Sequence, residues 1–285
     1  MQQPVQHRLH IVEAPDWKDA IITLLEPESP YQPWRYGFGE AHERDRVLLV
    51  LGTDPVSVVT RLADIGDDVR PHGAKFSMGW RGADVVDLAT LAGLLDLGDD
   101  VFTDWRIDGE DAESIVLRLT DCRLPGEPFG RFGHSTMVAA RNLLRFSGRC
   151  DGCDDLIDLR GSDARDNIFV HTVDPLPRPA PPSPVTTREA AVSRGWAAVR
   201  STTGDWPAVV CRDCRDRIRL GEFASFMDFR FREHPVCPRC GSRRSHRIMY
   251  GMPNDPESIP PFVYAAGCCV REQQWHCGVC DHEWV

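Results

Sequence analysis

Lysine is nearly missing from this 285-residue chain: of 33 basic residues only Lys18 and Lys75 are lysine, and arginine supplies the rest. A GC-rich coding sequence produces such a bias, and no function is read from it. Also missing is any run of about 20 apolar residues, the length a helix needs to cross a bilayer, so no membrane partner is expected. The opening Met1-Gln2-Gln3-Pro4 has no charged region leading into an apolar one, which argues against a secretory signal and for a cytoplasmic protein. No internal repeat is present beyond pairs of cysteines, and no pattern calls for a small-molecule cofactor. Net positive charge is lacking as well. A formal charge of -10 argues against tight, unspecific DNA binding by the chain as a whole.

The charge is unevenly spread. Residues 1 to 122 carry 11 basic against 23 acidic residues, while residues 123 to 285 carry 22 against 20. Within the second part, 211 to 247 holds ten arginines and five acids, which reads either as a solvated, ion-paired face or as a surface that contacts phosphates. The length exceeds that of one ordinary domain, and a multi-domain α+β chain is expected.

Residues 1 to 125 read as an acidic α+β domain that ends at the Pro125-Gly126-Glu127-Pro128 turn. In it, Leu9 to Val12 is a strand and Asp16 caps a helix bearing Trp17, Ala20, Ile21 and Leu24. Arg46 to Leu51 and Pro55 to Ile65 form a hairpin, and Ala83 to Leu97 and Asp111 to Leu119 have helical spacing. A second domain spans 130 to 225. It has a helix over 135 to 146, short strands at 155 to 159, 167 to 173 and 206 to 210, and a helix from Arg212 to Leu220. It also carries an insertion at 175 to 184 with six prolines in ten residues, followed by a capping box at Thr186-Thr187-Arg188-Glu189.

Eight of the eleven cysteines form Cys-x-x-Cys pairs: Cys150/Cys153, Cys211/Cys214, Cys237/Cys240 and Cys277/Cys280, with 57, 22 and 36 residues between successive pairs. Two thiolates at this spacing fit one turn and one metal ion, so four pairs make two tetrahedral sites. Sulfur-only coordination leaves no open position for substrate or activated water, which points to two structural zinc ions; iron held in rubredoxin style is the competing metal. Val236-Cys237-Pro238-Arg239-Cys240-Gly241 and Trp275-His276-Cys277-Gly278-Val279-Cys280-Asp281-His282-Glu283-Trp284 resemble the two knuckles of a zinc ribbon, which implies a ribbon over 233 to 285. That resemblance pairs 237/240 with 277/280 and leaves 150/153 with 211/214; the rival pairs 211/214 with 237/240. Cys268 and Cys269 are expected as small buried thiols of the ribbon, with a ligand role as the alternative, and Cys122 as a core residue.

Between Ala139 and Gly221 the chain resembles the zinc-stapled HNH endonucleases, in Arg141-Asn142-Leu143-Leu144 through Cys150-Asp151-Gly152-Cys153, in Val170-His171-Thr172-Val173-Asp174-Pro175-Leu176, and in Cys211-Arg212-Asp213-Cys214-Arg215. The resemblance implies a ββα-metal, treble-clef core in which a histidine activates water and flanking groups hold a divalent ion. This chain departs from that set. His171 falls at a metal-ligand position, Thr172 stands where the general base belongs, Arg215 replaces a histidine and Trp206, beside Asp205, replaces an asparagine. The expectation is a degenerate scaffold that binds rather than cleaves, with Arg215, Arg217 and Arg219 as phosphate contacts and 211 to 247 as the nucleic-acid surface. The competing expectation is a modification-dependent endonuclease using His171, Asp174 and Asp205.

Trp34-Arg35-Tyr36-Gly37-Phe38-Gly39, Asp45 to Leu51 and Val58 to Leu62 are similar to the start of PUA-like or EVE-like barrels, which hold a modified base in an aromatic pocket. The acidic domain could instead face a basic protein partner, and a protein-interaction scaffold is the third expectation.

Overall fold

The computed structural model describes residues 8–26, 45–65, 76–77, 83–98, 101–103, 106–120, 130–175, 204–221, 223–251 and 259–285. Helices and, among the described residues, three mixed or antiparallel sheets make it an α+β protein. Its chain contacts divide it into two compact units: Met1–Glu127 with Ser135–Gly148 and Asp158–Asn167, and Pro128–His134 with Arg149–Ile157 and Ile168–Val285.

The first unit begins with β1 (Arg8–Ala14), α1 (Trp17–Leu25) and β2 (Arg46–Leu51). Asp16 caps α1 by accepting from the backbone N–H groups of Lys18 and Asp19. β1 and β2 pair in parallel, and both are buried along almost their whole length, as strands covered on two faces are. The chain leaving β2 at Gly52 passes so close to Pro15 that a Cβ there would sit 2.5 Å from the Pro15 carbonyl oxygen. The expected hairpin forms, with β3 (Ser57–Val59) and β4 (Ala63–Ile65) both antiparallel to β2. β5 (Phe76–Ser77) lines β4, β6 (Val85–Asp87) lines β3, and β7 (Arg106–Asp108) lines β1. Among the described residues this path does not close into a barrel. The aromatic segment 34–39 lies outside them.

The single helix expected over 83 to 97 is split. Val85 and Val86 are β-branched and pair with Val59 and Val58, and the helix α2 (Leu88–Leu95) starts only after Asp87, whose carboxylate accepts from the Thr90 N–H. With α3 (Gly109–Thr120), α2 covers one sheet face around Leu9, Ile11, Leu48, Val50 and Val58. Each such side chain contributes about 1.5–3 kcal/mol through burial. α4 (Thr136–Leu144), capped by Ser135, packs against α1, and Arg141 and Arg145 both pair with Asp84. A short α5 (Ala164–Asn167) places Arg165 on Asp16 and Asp19. Inside this unit, His10 Nε2 donates to Asp45 Oδ2 at 2.9 Å, with both side chains almost wholly buried.

The second unit opens with a hairpin of β8 (Ile168–His171) and β9 (Ala208–Cys211), which runs into α6 (Arg212–Leu220). The strand expected at 155 to 159 is only a single bridge between Arg149 and Leu156. Next comes a helix that the sequence reading did not contain, α7 (Phe226–Glu233), capped by Ser225. Phe226 and Phe229 on it are fully buried. β10 (Ser245–Met249), β11 (Val263–Ala265), β12 (Trp275–Cys277) and β13 (Glu283–Trp284) form a sheet in the order β11-β10-β12-β13. The proline run beyond Pro175 and the capping box at 186–189 lie outside the described residues, as does Cys122.

Candidate metal centres

Cys150 and Cys153 sit on a tight turn in which Gly152 N–H points at the Cys150 sulfur, 3.3 Å away, and Asp154 takes a left-handed backbone with φ of 64°. The same device recurs after the second cysteine of two further pairs, at Gly241 (φ 72°) and Asp281 (φ 54°). Short polar residues and glycine tolerate that conformation, which is why Asp, Gly and Asp occupy these positions. The remaining pair is built differently. Cys211 is the N-cap of α6 and its sulfur accepts from the Cys214 N–H at 3.5 Å, so the helix dipole favours negative charge there.

The structure gathers the eight sulfurs into two groups of four, Cys150/Cys153/Cys211/Cys214 and Cys237/Cys240/Cys277/Cys280, with the ligand atoms of each group within 4.8 Å of one another. A tetrahedron with bonds of about 2.3 Å requires sulfurs about 3.8 Å apart. Cys153 and Cys211 are 3.9 Å apart, Cys237 and Cys280 3.7 Å, and Cys240 and Cys277 3.5 Å. These separations fit an ion and are far too long for disulfides. The two groups can therefore hold two metal ions, and 237/240 stands with 277/280.

Four sulfurs so close cannot all carry charge without a cation among them. In the first group a hydrogen bond from the Cys214 thiol brings Cys150 down to about 5, while Cys214 itself is pushed up. Burial pushes Cys153 up to about 12. A bound divalent ion would replace the shared protons. The surroundings are closely packed: a Cβ on Gly152 would lie 2.8 Å from Cys214 Sγ and 3.0 Å from Phe229. Asp151 holds Val209 of β9 twice, its backbone N–H donating to Val209 O and its carboxylate accepting from Val209 N–H, and burial raises that carboxyl to about 6. Arg230, buried on α7, donates to Gly152 O and to Asp154, holding the turn from outside.

The second group is more open. Cys240 is exposed and Cys280 half-buried, whereas Cys237 and Cys277 are buried. Its two turns are joined by Gly278 N–H donating to Arg244 O, and a Cβ on Gly278 would strike His246 Nε2 at 2.5 Å. Cys268 and Cys269 are exposed and belong to neither group, so the expectation of buried thiols there is corrected.

The candidate catalytic residues form two separate pairs. His171 Nε2 donates to Asp205 Oδ2 at 2.8 Å. Asp174 accepts from His134 Nε2 at 2.8 Å, and the Thr172 hydroxyl donates to His134 Nδ1 at 2.9 Å. His134 was missed from the sequence because it lies about forty positions from its partners and no spacing motif links them. Among the described residues, the two cysteine groups are the only sets of three or more potential ligands that meet at one point.

Of the candidate phosphate contacts, Arg217 is bound to Glu233 at 2.6 Å and Arg215 lies over the Phe169 ring at 4.0 Å, while Arg219 is exposed. From His234 to Asn254 the chain has four arginines, Arg239, Arg243, Arg244 and Arg247, and no carboxylate. All four are exposed. No helix among the described residues is long and apolar enough to cross a membrane. Comparison with family models, with curated proteins and with solved structures finds no match to this chain.

Proposed function

We propose that this is a zinc-stabilised, cytoplasmic binding protein whose second unit contacts nucleic acid without cleaving it. In this reading the cysteine groups are structural zinc sites, the first on a degenerate HNH-like, treble-clef scaffold and the second in a zinc ribbon. The observation that carries it is the exposed arginine set at Arg239, Arg243 and Arg244, in a stretch of sequence without acidic residues beside the second cysteine group. Arginines that are neither buried nor paired with acids are the ones free in energy terms to meet phosphates. Arg219 belongs with them. Arg215 and Arg217 contribute through positions already shared with Phe169 and Glu233.

The way the candidate residues are used supports a site that does not cleave. Asp205 accepts three hydrogen bonds, from His171 and from the Trp206 and Met227 N–H groups. A carboxylate so occupied ties strands and helix together. Binding measured against salt concentration tests the reading: affinity should fall steeply as salt rises, and the fall should shallow when Arg243 and Arg244 are replaced by alanine. Salt-independent binding, or none, contradicts it.

One competing reading has an observation in its favour. An imidazole held by a carboxylate, as His171 is by Asp205, is the arrangement of a general base, and a modification-dependent endonuclease would use it. That reading predicts cleavage of modified DNA that disappears with His171→Ala.

A further inference from the structure

One face of the C-terminal sheet carries an arginine between apolar and aromatic neighbours in a cross-strand row. Arg247 on β10 lies directly opposite Trp275 on β12, and Trp275 directly opposite Trp284 on β13. Directly opposed residues share a face, so the three side chains stand side by side. Both tryptophans are half-buried, and the Arg247 side chain is 62% exposed with Asp154 Oδ2 3.8 Å away. His234, buried at the end of α7, backs Trp275 edge-on at 4.9 Å, and His282 stacks on Trp284 at 5.9 Å and 14°. Each indole thus has an imidazole packed against it.

From this row we infer that the sheet face is a stacking platform for single-stranded nucleic acid. The inference rests on the nucleic-acid reading above and narrows it to one ligand form. A flat indole offers its face to any unpaired base, whereas in a duplex the bases are stacked on one another and shielded. Arg247, in line with the indoles, is placed to meet the phosphate that follows a stacked base. Arg239, Arg243 and Arg244 extend positive charge along the same chain segment. A duplex reader would need a helix or ribbon shaped for a groove, with base-edge donors on it. The row offers planar rings and a single cation instead.

The test is fluorescence anisotropy with the full chain, zinc-loaded, against a labelled oligodeoxythymidylate and a duplex of equal length at moderate salt. Trp284→Ala is the central variant; its backbone pairing is unaffected by the side chain. Trp284→Phe keeps a ring, and Arg247→Ala removes the cation from an exposed site. Metal content is measured for each. The expected result is tighter binding of the single strand, weakened about tenfold or more by Trp284→Ala, largely kept by Trp284→Phe, and reduced by Arg247→Ala. Equal affinity for both forms, or no effect of Trp284→Ala and Arg247→Ala, overturns the platform and leaves the broader nucleic-acid reading standing. Failure to bind either form removes both.

Discussion

Asp205 holds His171 at 2.8 Å with one carboxylate oxygen and the backbone of Trp206 and Met227 with the other. Three segments of the second unit, β8, the entry to β9 and the start of α7, therefore converge on one side chain. A hydrogen bond to a charged group contributes about 1.5–3 kcal/mol, so Asp205→Ala should lower stability by about 2 kcal/mol or more. Thermal unfolding of the zinc-loaded protein measures this. An unchanged midpoint would mean that the carboxylate is not a structural tie.

The close approach at Gly152 gives a sharper prediction for the first metal group. Gly152→Ala would place a methyl group 2.8 Å from Cys214 Sγ, and both the sulfur and Phe229 are held in packed surroundings. The variant should bind one metal ion instead of two. Elemental analysis after gel filtration reads this directly, and full occupancy would show that the turn can shift.

The two groups should also differ in exchange. Cys240 is exposed, whereas in the first group Cys150 and Cys214 are buried and Cys153 and Cys211 half-buried. A chelator should remove the metal of the second group first, and Cys240→Ser should leave the first group loaded. Two indistinguishable release phases would contradict this order.

Much of this was legible from the sequence because Cys-x-x-Cys chemistry is local: two residues between ligands define the turn wherever it lies. The grouping of Cys237 and Cys240 with Cys277 and Cys280 was legible from the residues flanking each pair. The hairpin and the Asp16 cap were legible for the same local reason. What failed to show was non-local. α7 mixes Phe226, Met227 and Phe229 with Arg230 and Arg232, and its charge hides a buried face. Arg230 counted as a surface charge in the sequence, yet it lies inside, on Gly152 O and Asp154. Val85 and Val86 sat within a helical spacing, but β-branching and a partner strand outweighed periodicity.

His234 sets a pH prediction. Burial lowers its pKa from 6.5 to about 4, partly offset by its bond to Ser245 O, with Arg230 and His246 also disfavouring the charge and Asp154 favouring it. Because the folded value is depressed, the unfolded chain takes up the proton first, so the contribution is fully present above pH 6.5 and is lost as pH falls towards 4. The loss amounts to about 3 kcal/mol across that window. His234→Gln should flatten the slope between pH 6.5 and 4 relative to the parent protein. Parallel slopes would place the acid sensitivity elsewhere, in the thiolates.

In the first unit, breaking the buried His10–Asp45 pair should be costly. Asp45→Ala removes the carboxylate that His10 Nε2 meets in the interior and should destabilise by about 1–3 kcal/mol, read as a drop in the unfolding midpoint. A neutral result would mean that solvent reaches the pair.

Two structural metal ions and candidate catalytic residues that do not cleave are expected together in one preparation. Protein purified without added metal should be analysed for zinc per chain and then incubated with methylated and unmodified plasmid in magnesium or manganese. Two zinc ions per chain and no turnover of either plasmid are expected. Fewer than two ions, or turnover abolished by His171→Ala, contradicts that expectation.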